Sequence, residues 1–300
     1  MTDARPTLGD YEHAAEVLTG VLSTTPLVET QALSDVLGAP VFLKLENLQR
    51  TGSFKIRGSS YLMSRLTAEE RARGVVAASA GNHAQGVALA ARELGIHATI
   101  FMPLGVPVPK LLATRGYGAE VILQGPTVEL PLQLAAEFAK ETGAVLVHPF
   151  DHIDVITGQG TRGLQLFEEH PDVDTVLVPI GGGGLIAGVA GAIKAKAAQA
   201  GRTVRVIGVQ AANSAAYPES LAAGHPSTVA TRPTIADGIA VARPGDVPFA
   251  MIRDLVDEVV TVSEDDIARA LLLLLERAKL VVEPAGAVGV AAILAGKVAP

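Results

Sequence analysis

Three hundred residues, 49% of them apolar, can bury a substantial core as one large domain or two modest ones. With 31 acidic against 24 basic side chains, the surface offers no positive field for nucleic acid or anionic membrane, and small metabolites are the expected partners. The chain has no cysteine, which excludes disulfides, thiolate nucleophiles and cysteine-ligated zinc or iron–sulfur centres and fits a cytoplasmic protein.

The opening stretch MTDARPTLGDYEHAAEVL carries acids early and lacks an apolar core, so it does not read as a signal peptide. The next notable segment is TGSFKIRGSS, residues 51–60, where Lys55 stands between apolar Phe54 and Ile56. A lysine is ordinarily a solvated surface charge. A desolvated amine, by contrast, has a lowered pKa and can form a Schiff base with a carbonyl compound.

From residue 75 onward, β-branched runs alternate with alanine-rich stretches. VVAAS precedes HAQGVALAARELG, ATIFMP precedes PKLLATRGYG, and AEVILQG precedes ELPLQLAAEFAKETG. TVLVPI then precedes GLIAGVAGAIKAKAAQAG, and VRVIGVQ precedes a further helix. This alternation predicts an α/β protein with parallel sheets flanked by helices. Gly95, Gly118, Gly143 and Gly201 follow the last turns of helices, as left-handed C-caps do. No linker divides the chain, so a second domain would require the chain to cross between domains more than once. LLLLL at 271–275 is bracketed by Arg269, Glu276 and Arg277 and falls short of the roughly 18 apolar residues of a membrane span, so a buried helix is expected there.

Two strand-to-helix turns are chemically suggestive. In SAGNHAQG, residues 79–86, the small residues Ser79, Ala80 and Gly81 let a carboxylate approach the backbone, with Asn82 and His83 opening the helix. In VPIGGGGLIAG, Gly181–Gly184 form a turn whose N–H groups can converge on a phosphate at a helix N-terminus. Gly182, Gly184 and Ala187 also satisfy a loose dinucleotide pattern, but the next strand ends at Gln210 where a ribose-gripping acid belongs. His148, Asp151 and His152 in HPFDHID suggest a metal set, yet the loop context favours solvated or structural roles and no metal site is expected. GQGT, 158–161, reads as shaping a helix start. A reactive amine, a phosphate cradle and a carboxylate loop together call for a cofactor bearing both an aldehyde and a phosphate, which is pyridoxal 5′-phosphate.

The chain resembles the fold-type-II pyridoxal-phosphate enzymes, specifically the threonine dehydratases (threonine ammonia-lyases), with serine racemases as close relatives. The resemblance runs in order through TPLVETQALSDVLGAPVFLKLENLQRTGSFKIRG, SAGNHAQGVALAA, GQGT, VPIGGGGLIAG, ADGIAV and EPAGAVGVAA. It implies that Lys55 is the Schiff-base lysine, that Phe54 packs beside the cofactor ring and that Asn82 bonds the ring hydroxyl. Gly181, Gly182, Gly183, Gly184 and Leu185 would hold the phosphate, with Gly238 and Glu283 near the cofactor. Ser79, Ala80, Gly81, Asn82 and His83 would take the substrate carboxylate. It further implies a large domain of residues 1–55 and 150–300, a small domain of 56–149, and a homodimer or homotetramer.

Three departures sharpen the expectation. Ala80 stands where serine racemases carry a second serine, the acid/base of the face opposite the lysine, so racemisation should be poor and elimination should remain. Gln210 and Ala216 replace the acids of metal-dependent relatives. The final strand, its SGGN-like turn and the regulatory domain of many threonine dehydratases are not found before Pro300. The expected activity is conversion of L-threonine to 2-oxobutanoate and ammonia, and of L-serine to pyruvate. The alternatives are a serine dehydratase, a hydroxyaspartate ammonia-lyase, or a cofactor-binding but inactive chain.

Overall fold

The computed structural model describes residues 5–126 and 129–299, Glu129 through its backbone; Met1–Ala4 of the opening stretch and Pro300 lie outside the described residues. In chain order the elements are α1 (Leu8–Val17), β1 (Leu27–Glu29), α2 (Gln31–Leu37), β2 (Phe42–Lys44), α3 (Lys55–Ser64), α4 (Ala68–Arg73), β3 (Val75–Ala78), α5 (Asn82–Leu94), β4 (Ala98–Met102), α6 (Val108–Gly116), β5 (Glu120–Leu123) and α7 (Glu129–Thr142). They continue with β6 (Val145–Leu146), α8 (Ile153–Glu169), β7 (Thr175–Pro179), α9 (Gly184–Gln199), β8 (Arg205–Ala211), α10 (Ala216–Ala223), α11 (Asp246–Leu255), β9 (Glu258–Val262), α12 (Glu264–Leu273) and α13 (Pro284–Leu294).

Two parallel sheets organise these elements, as the alternation predicted. One has the order β5-β4-β3-β6 and the other β7-β8-β9, while β1 and β2 form a small antiparallel pair. Strands β3 and β4 are buried along their whole length, which is why they read as continuous apolar runs rather than alternating ones. The two chemically suggestive turns leave the carboxyl ends of parallel strands: residues 79–81 link β3 to α5, and 180–183 link β7 to α9. Ligands bind at such ends because helix N-termini converge there.

Helices α3, α8 and α9 meet at backbone distance, and glycines make this possible. A Cβ on Gly188 of α9 would lie 2.3 Å from the Ile156 carbonyl oxygen, and one on Gly158 of α8 would lie 2.7 Å from the Arg57 carbonyl oxygen of α3. The Tyr11 ring of α1 fills the remaining gap, 2.3 Å from where a Gly160 Cβ would sit. GQGT therefore lies in the middle of α8 rather than at its start. Its two glycines read as punctuation in the sequence, but they are there for helix–helix contact; the helix starts earlier, where His152 Nδ1 accepts from the Asp154 N–H.

The leucine run also departs from expectation. Leu274 is buried, whereas Leu272 and Leu275 are each 53% exposed, and the helix passes into a π turn ending at Lys279 with φ 57°. Five consecutive residues cover every face of a helix, so one core cannot receive them all. The glycine caps agree with the sequence reading: Gly95, Gly118, Gly143 and Gly201 all have positive φ.

Candidate active site

Lys55 opens α3 directly after buried Ser53 and half-buried Phe54, and its successor Ile56 is 0% exposed, so the lysine is carried on a helix anchored in the core. Its Nζ donates to the Pro149 carbonyl oxygen at 2.9 Å and stands 5.3 Å from the centre of the Phe54 ring. Some of the side chain reaches accessible surface, yet the amine is densely surrounded, and desolvation pulls its pKa down to about 8. Lys55 is thus no surface charge.

Gly86 explains how α5 can run so close to the lysine: a Cβ there would meet the Lys55 Cβ at 3.2 Å and the Ile56 nitrogen at 3.1 Å. The first turn of that helix holds Asn82 and His83. His83 is buried, its Nε2 hydrogen-bonded to the Val147 carbonyl oxygen at 2.8 Å, and burial, with a smaller contribution from the neighbouring Lys55 charge, lowers its pKa to about 3. It is a neutral structural donor rather than a base. Asn82 Nδ2 donates to Glu283 Oε2 at 2.5 Å. Ser79 Oγ accepts from the Gly81 N–H at 3.1 Å and shapes the loop, while Ala80 contributes its backbone.

The glycine turn is packed from behind. A Cβ on Gly182 would lie 2.4 Å from the Phe150 ring, one on Gly184 2.9 Å from Phe150 backbone, and one on Gly183 2.0 Å from the Tyr217 hydroxyl. Gly183 is also the N-cap of α9 with φ 102°, a conformation that L side chains rarely adopt. Tyr217 donates its hydroxyl to the Gly182 carbonyl oxygen at 3.1 Å. Glycine is required here by what lies behind the turn. The N–H groups of the first helical turn, Leu185 included, have no intrahelical acceptor and are available to an anion.

The separately read residues form a closed circuit. Lys55 touches Pro149; Phe150 backs Gly182 and Gly184; Gly181 abuts Ile239, a Cβ there falling 3.1 Å from the Ile239 Cα; Gly238 faces Ala285, its own Cβ position 3.1 Å from the Ala285 Cβ; and Glu283, at the head of the same helix, returns to Asn82 on α5. Tyr217 and Lys110 belong to this ring although no sequence motif marked them, and Pro149 and Phe150 belong to it although HPFDHID drew notice for its His and Asp residues instead. Lys110 Nζ lies 3.1 Å from Glu283 Oε1, joining two elements far apart in the chain.

The HPFDHID segment serves structure. His148 Nδ1 accepts from the Phe150 and Asp151 N–H groups at 3.3 and 2.8 Å, and its pKa is lowered to about 4 by burial. Asp151 caps α11 through the Asp246 and Val247 N–H groups. Among the described residues no group of three or more His, Asp or Glu side chains is placed to hold a metal ion. Gln210 is fully buried and braces α10 by accepting the Tyr217 N–H at 2.9 Å. Concavities of about 200 and 250 Å³ also occur, but neither is lined by the lysine or the glycine turn, so chemistry rather than size locates the site.

A desolvated amine, linked through Pro149 and Phe150 to a glycine turn at a helix N-terminus, is the arrangement that a phosphorylated carbonyl compound would need. The family described as pyridoxal-phosphate dependent enzyme matches residues 18–300, and the chain belongs to it; its fold is that of the fold-type-II members. It is 52% identical over 288 residues to an L-threonine ammonia-lyase of Thermotoga maritima, a match covering 96% of this chain and 71% of that one. A solved threonine deaminase from the organism abbreviated T.th. superimposes with a TM-score of 0.91 at 40% identity, covering 98% of this chain and 95% of the other. Maize serine racemase superimposes with a TM-score of 0.92 at 37% identity, covering 97% and 87%.

Proposed function

We propose that this chain is a pyridoxal-phosphate-dependent ammonia-lyase that converts L-threonine to 2-oxobutanoate and ammonia, and L-serine to pyruvate. The observation that carries the reading is the Lys55 amine, lowered to about pKa 8 and enclosed in the same ring as the glycine turn. The residues fit the cofactor. The turn at 181–184 has backbone donors in front and no room for side chains behind, and Lys55 has an amine that can be neutral near pH 8. When bound, pyridoxal phosphate supplies an electrophilic carbonyl carbon and a conjugated ring that accepts electron density from the substrate Cα.

Lys55 would be the covalent attachment point and, as a free amine, the candidate base for the Cα proton. Gly181, Gly182, Gly183, Gly184 and Leu185 would hold the phosphate through backbone donors. Phe54, Gly238, Asn82 and Glu283 would hold the ring. Ser79, Ala80, Gly81, Asn82 and His83 present the loop that fixes the substrate carboxylate, and fixing it sets which Cα bond is cleaved. Ala80 brings no hydroxyl to the loop, so the loop side chain that would serve as acid/base on the face opposite Lys55 is missing, which favours elimination over racemisation. Keto-acid release from L-threonine by the chain with added pyridoxal phosphate, with Lys55→Ala as control, tests the reading. Turnover of L-serine or hydroxyaspartate in preference to L-threonine would reassign the substrate, and cofactor binding without turnover would make the chain an inactive binder.

The coarser organisation is read in the same spirit. Residues 56–149 contain the whole four-stranded sheet, which supports a small domain set against a large one of 1–55 and 150–300. Exposed Leu48, Leu272, Leu275 and Val281 provide apolar surface for a homodimer or homotetramer, measurable by light scattering. No helix among the described residues is long and apolar enough to cross a membrane, and the lack of cysteine supports the cytoplasm.

A further inference from the structure

Lys110 stands where Gly81, Asn82 and Glu283 converge. It sits in the first turn of α6, and its Nζ lies 3.1 Å from Glu283 Oε1 while the other oxygen of that carboxylate takes the Asn82 amide. Its side chain also lies across Gly81: a Cβ there would be 3.1 Å from Nζ and 3.4 Å from Cδ. The absence of a side chain at Gly81 is what lets the ammonium rest against the loop. The Lys110 and Glu283 side chains are 23% and 42% exposed, so the pair is partly open to solvent rather than enclosed in the core.

We propose that Lys110 is a positioning residue for substrate, its ammonium both neutralising Glu283 and providing the positive charge beside the carboxylate subsite formed by residues 79–83. This rests on the reading of that loop as the carboxylate subsite. Physically, a substrate carboxylate placed beside an uncompensated Glu283 carboxylate would be repelled, and backbone N–H groups alone would have to offset that repulsion. With Lys110 in place the two side-chain charges cancel, and the ammonium remains available to the incoming carboxylate through a charge-assisted hydrogen bond. An ion pair serving only as a surface link between helices would contribute little and would not discriminate among ligands.

The test compares two ligands that share an amine and differ in the carboxylate: L-threonine and the amino alcohol L-threoninol. Their apparent Kd values for the holoenzyme are read from the cofactor's visible absorbance. Lys110→Met is expected to weaken L-threonine about tenfold while changing L-threoninol less than about twofold, and Lys110→Arg is expected to recover most of the loss. In turnover the same defect is read as a raised KM with a smaller change in kcat. Glu283→Gln should tighten L-threonine relative to L-threoninol, and it carries the comparison if Lys110→Met does not fold. Equal weakening of both ligands, or no change in either, overturns the proposal. Because binding is read spectroscopically, a chain that releases no keto acid would defeat the lyase reading and leave this test intact.

Discussion

Lys55 donates its ammonium proton to the Pro149 carbonyl oxygen across 2.9 Å, and the residue after that proline, Phe150, forms the back wall of the glycine turn. One short segment therefore links the Lys55 amine to the glycine turn proposed to hold the phosphate. Replacing Lys55 by alanine should abolish both covalent cofactor attachment and turnover. Borohydride reduction followed by mass measurement of the 51–60 region, alongside keto-acid assay, checks both losses; persistent turnover would displace Lys55 from its role.

The lowered pKa gives a pH signature. With a value of about 8, about one amine in ten is neutral at pH 7, against about one in three thousand for an ordinary lysine. The neutral amine is the nucleophile, so the rate of cofactor attachment to the cofactor-free chain should climb with pH and level off above about 8. Stopped-flow absorbance between pH 6 and 10 measures it, and a rise continuing past pH 10 would mean that the amine is not desolvated.

His83 makes an opposite demand on stability. Its folded pKa, about 3, lies below the ordinary value of 6.5, so the unfolded chain binds the proton more readily. The stability is fully present above pH 6.5 and is lost as pH falls toward 3, by about 2 kcal/mol at pH 5 from this residue. His148, lowered to about 4, adds to the same decline. Urea unfolding of the cofactor-free chain from pH 7 to 4.5 should show it, and His83→Gln should flatten the slope.

The helix crossing is sensitive to a single methyl. Gly160→Ala drives a Cβ to 2.3 Å from the Tyr11 ring and 2.9 Å from the Gly188 carbonyl oxygen, and should cost about 3 kcal/mol. Tyr11→Ala in the same chain should restore part of the loss by opening the space the methyl needs. Thermal unfolding of the two single variants and the double variant provides the comparison, and additive losses would place the clash elsewhere.

Ala80 concerns reaction outcome. Ala80→Ser introduces a hydroxyl in the 79–83 loop, and D-serine formation from L-serine should rise at least about tenfold while pyruvate release persists. Chiral chromatography of the reaction mixture decides it. An unchanged enantiomer ratio would show that the loop does not present residue 80 to the Cα.

Legibility in the sequence followed the range of the interaction. Asn82 and the glycine run stand out in the sequence because each sits in a local strand–turn–helix pattern, and Lys55 because it lies between apolar Phe54 and Ile56. GQGT misleads because glycines that enable helix contact and glycines that end helices look alike in one dimension. HPFDHID offers three potential ligands, yet His148 and His152 commit their Nδ1 acceptors to backbone N–H groups two or three residues on, and Asp151 caps a helix that only the folded chain brings near. Lys110 and Glu283 lie in unrelated elements, and no periodicity or spacing links them. The leucine run misleads because composition reports how apolar a segment is and not how many of its faces the core can accept.

The circuit around Lys55 also has an order in time. Synthesis proceeds from the N-terminus, and the lysine emerges long before Pro149, the glycine turn, and the Glu283–Ala285 segment that closes the ring. Until those partners arrive the amine is hydrated and protonated, an ordinary lysine to any aldehyde it meets. If Lys55 has the proposed role, its reactivity is acquired late, when the burial that lowers its pKa is complete, and the nascent chain carries an ordinary protonated lysine there.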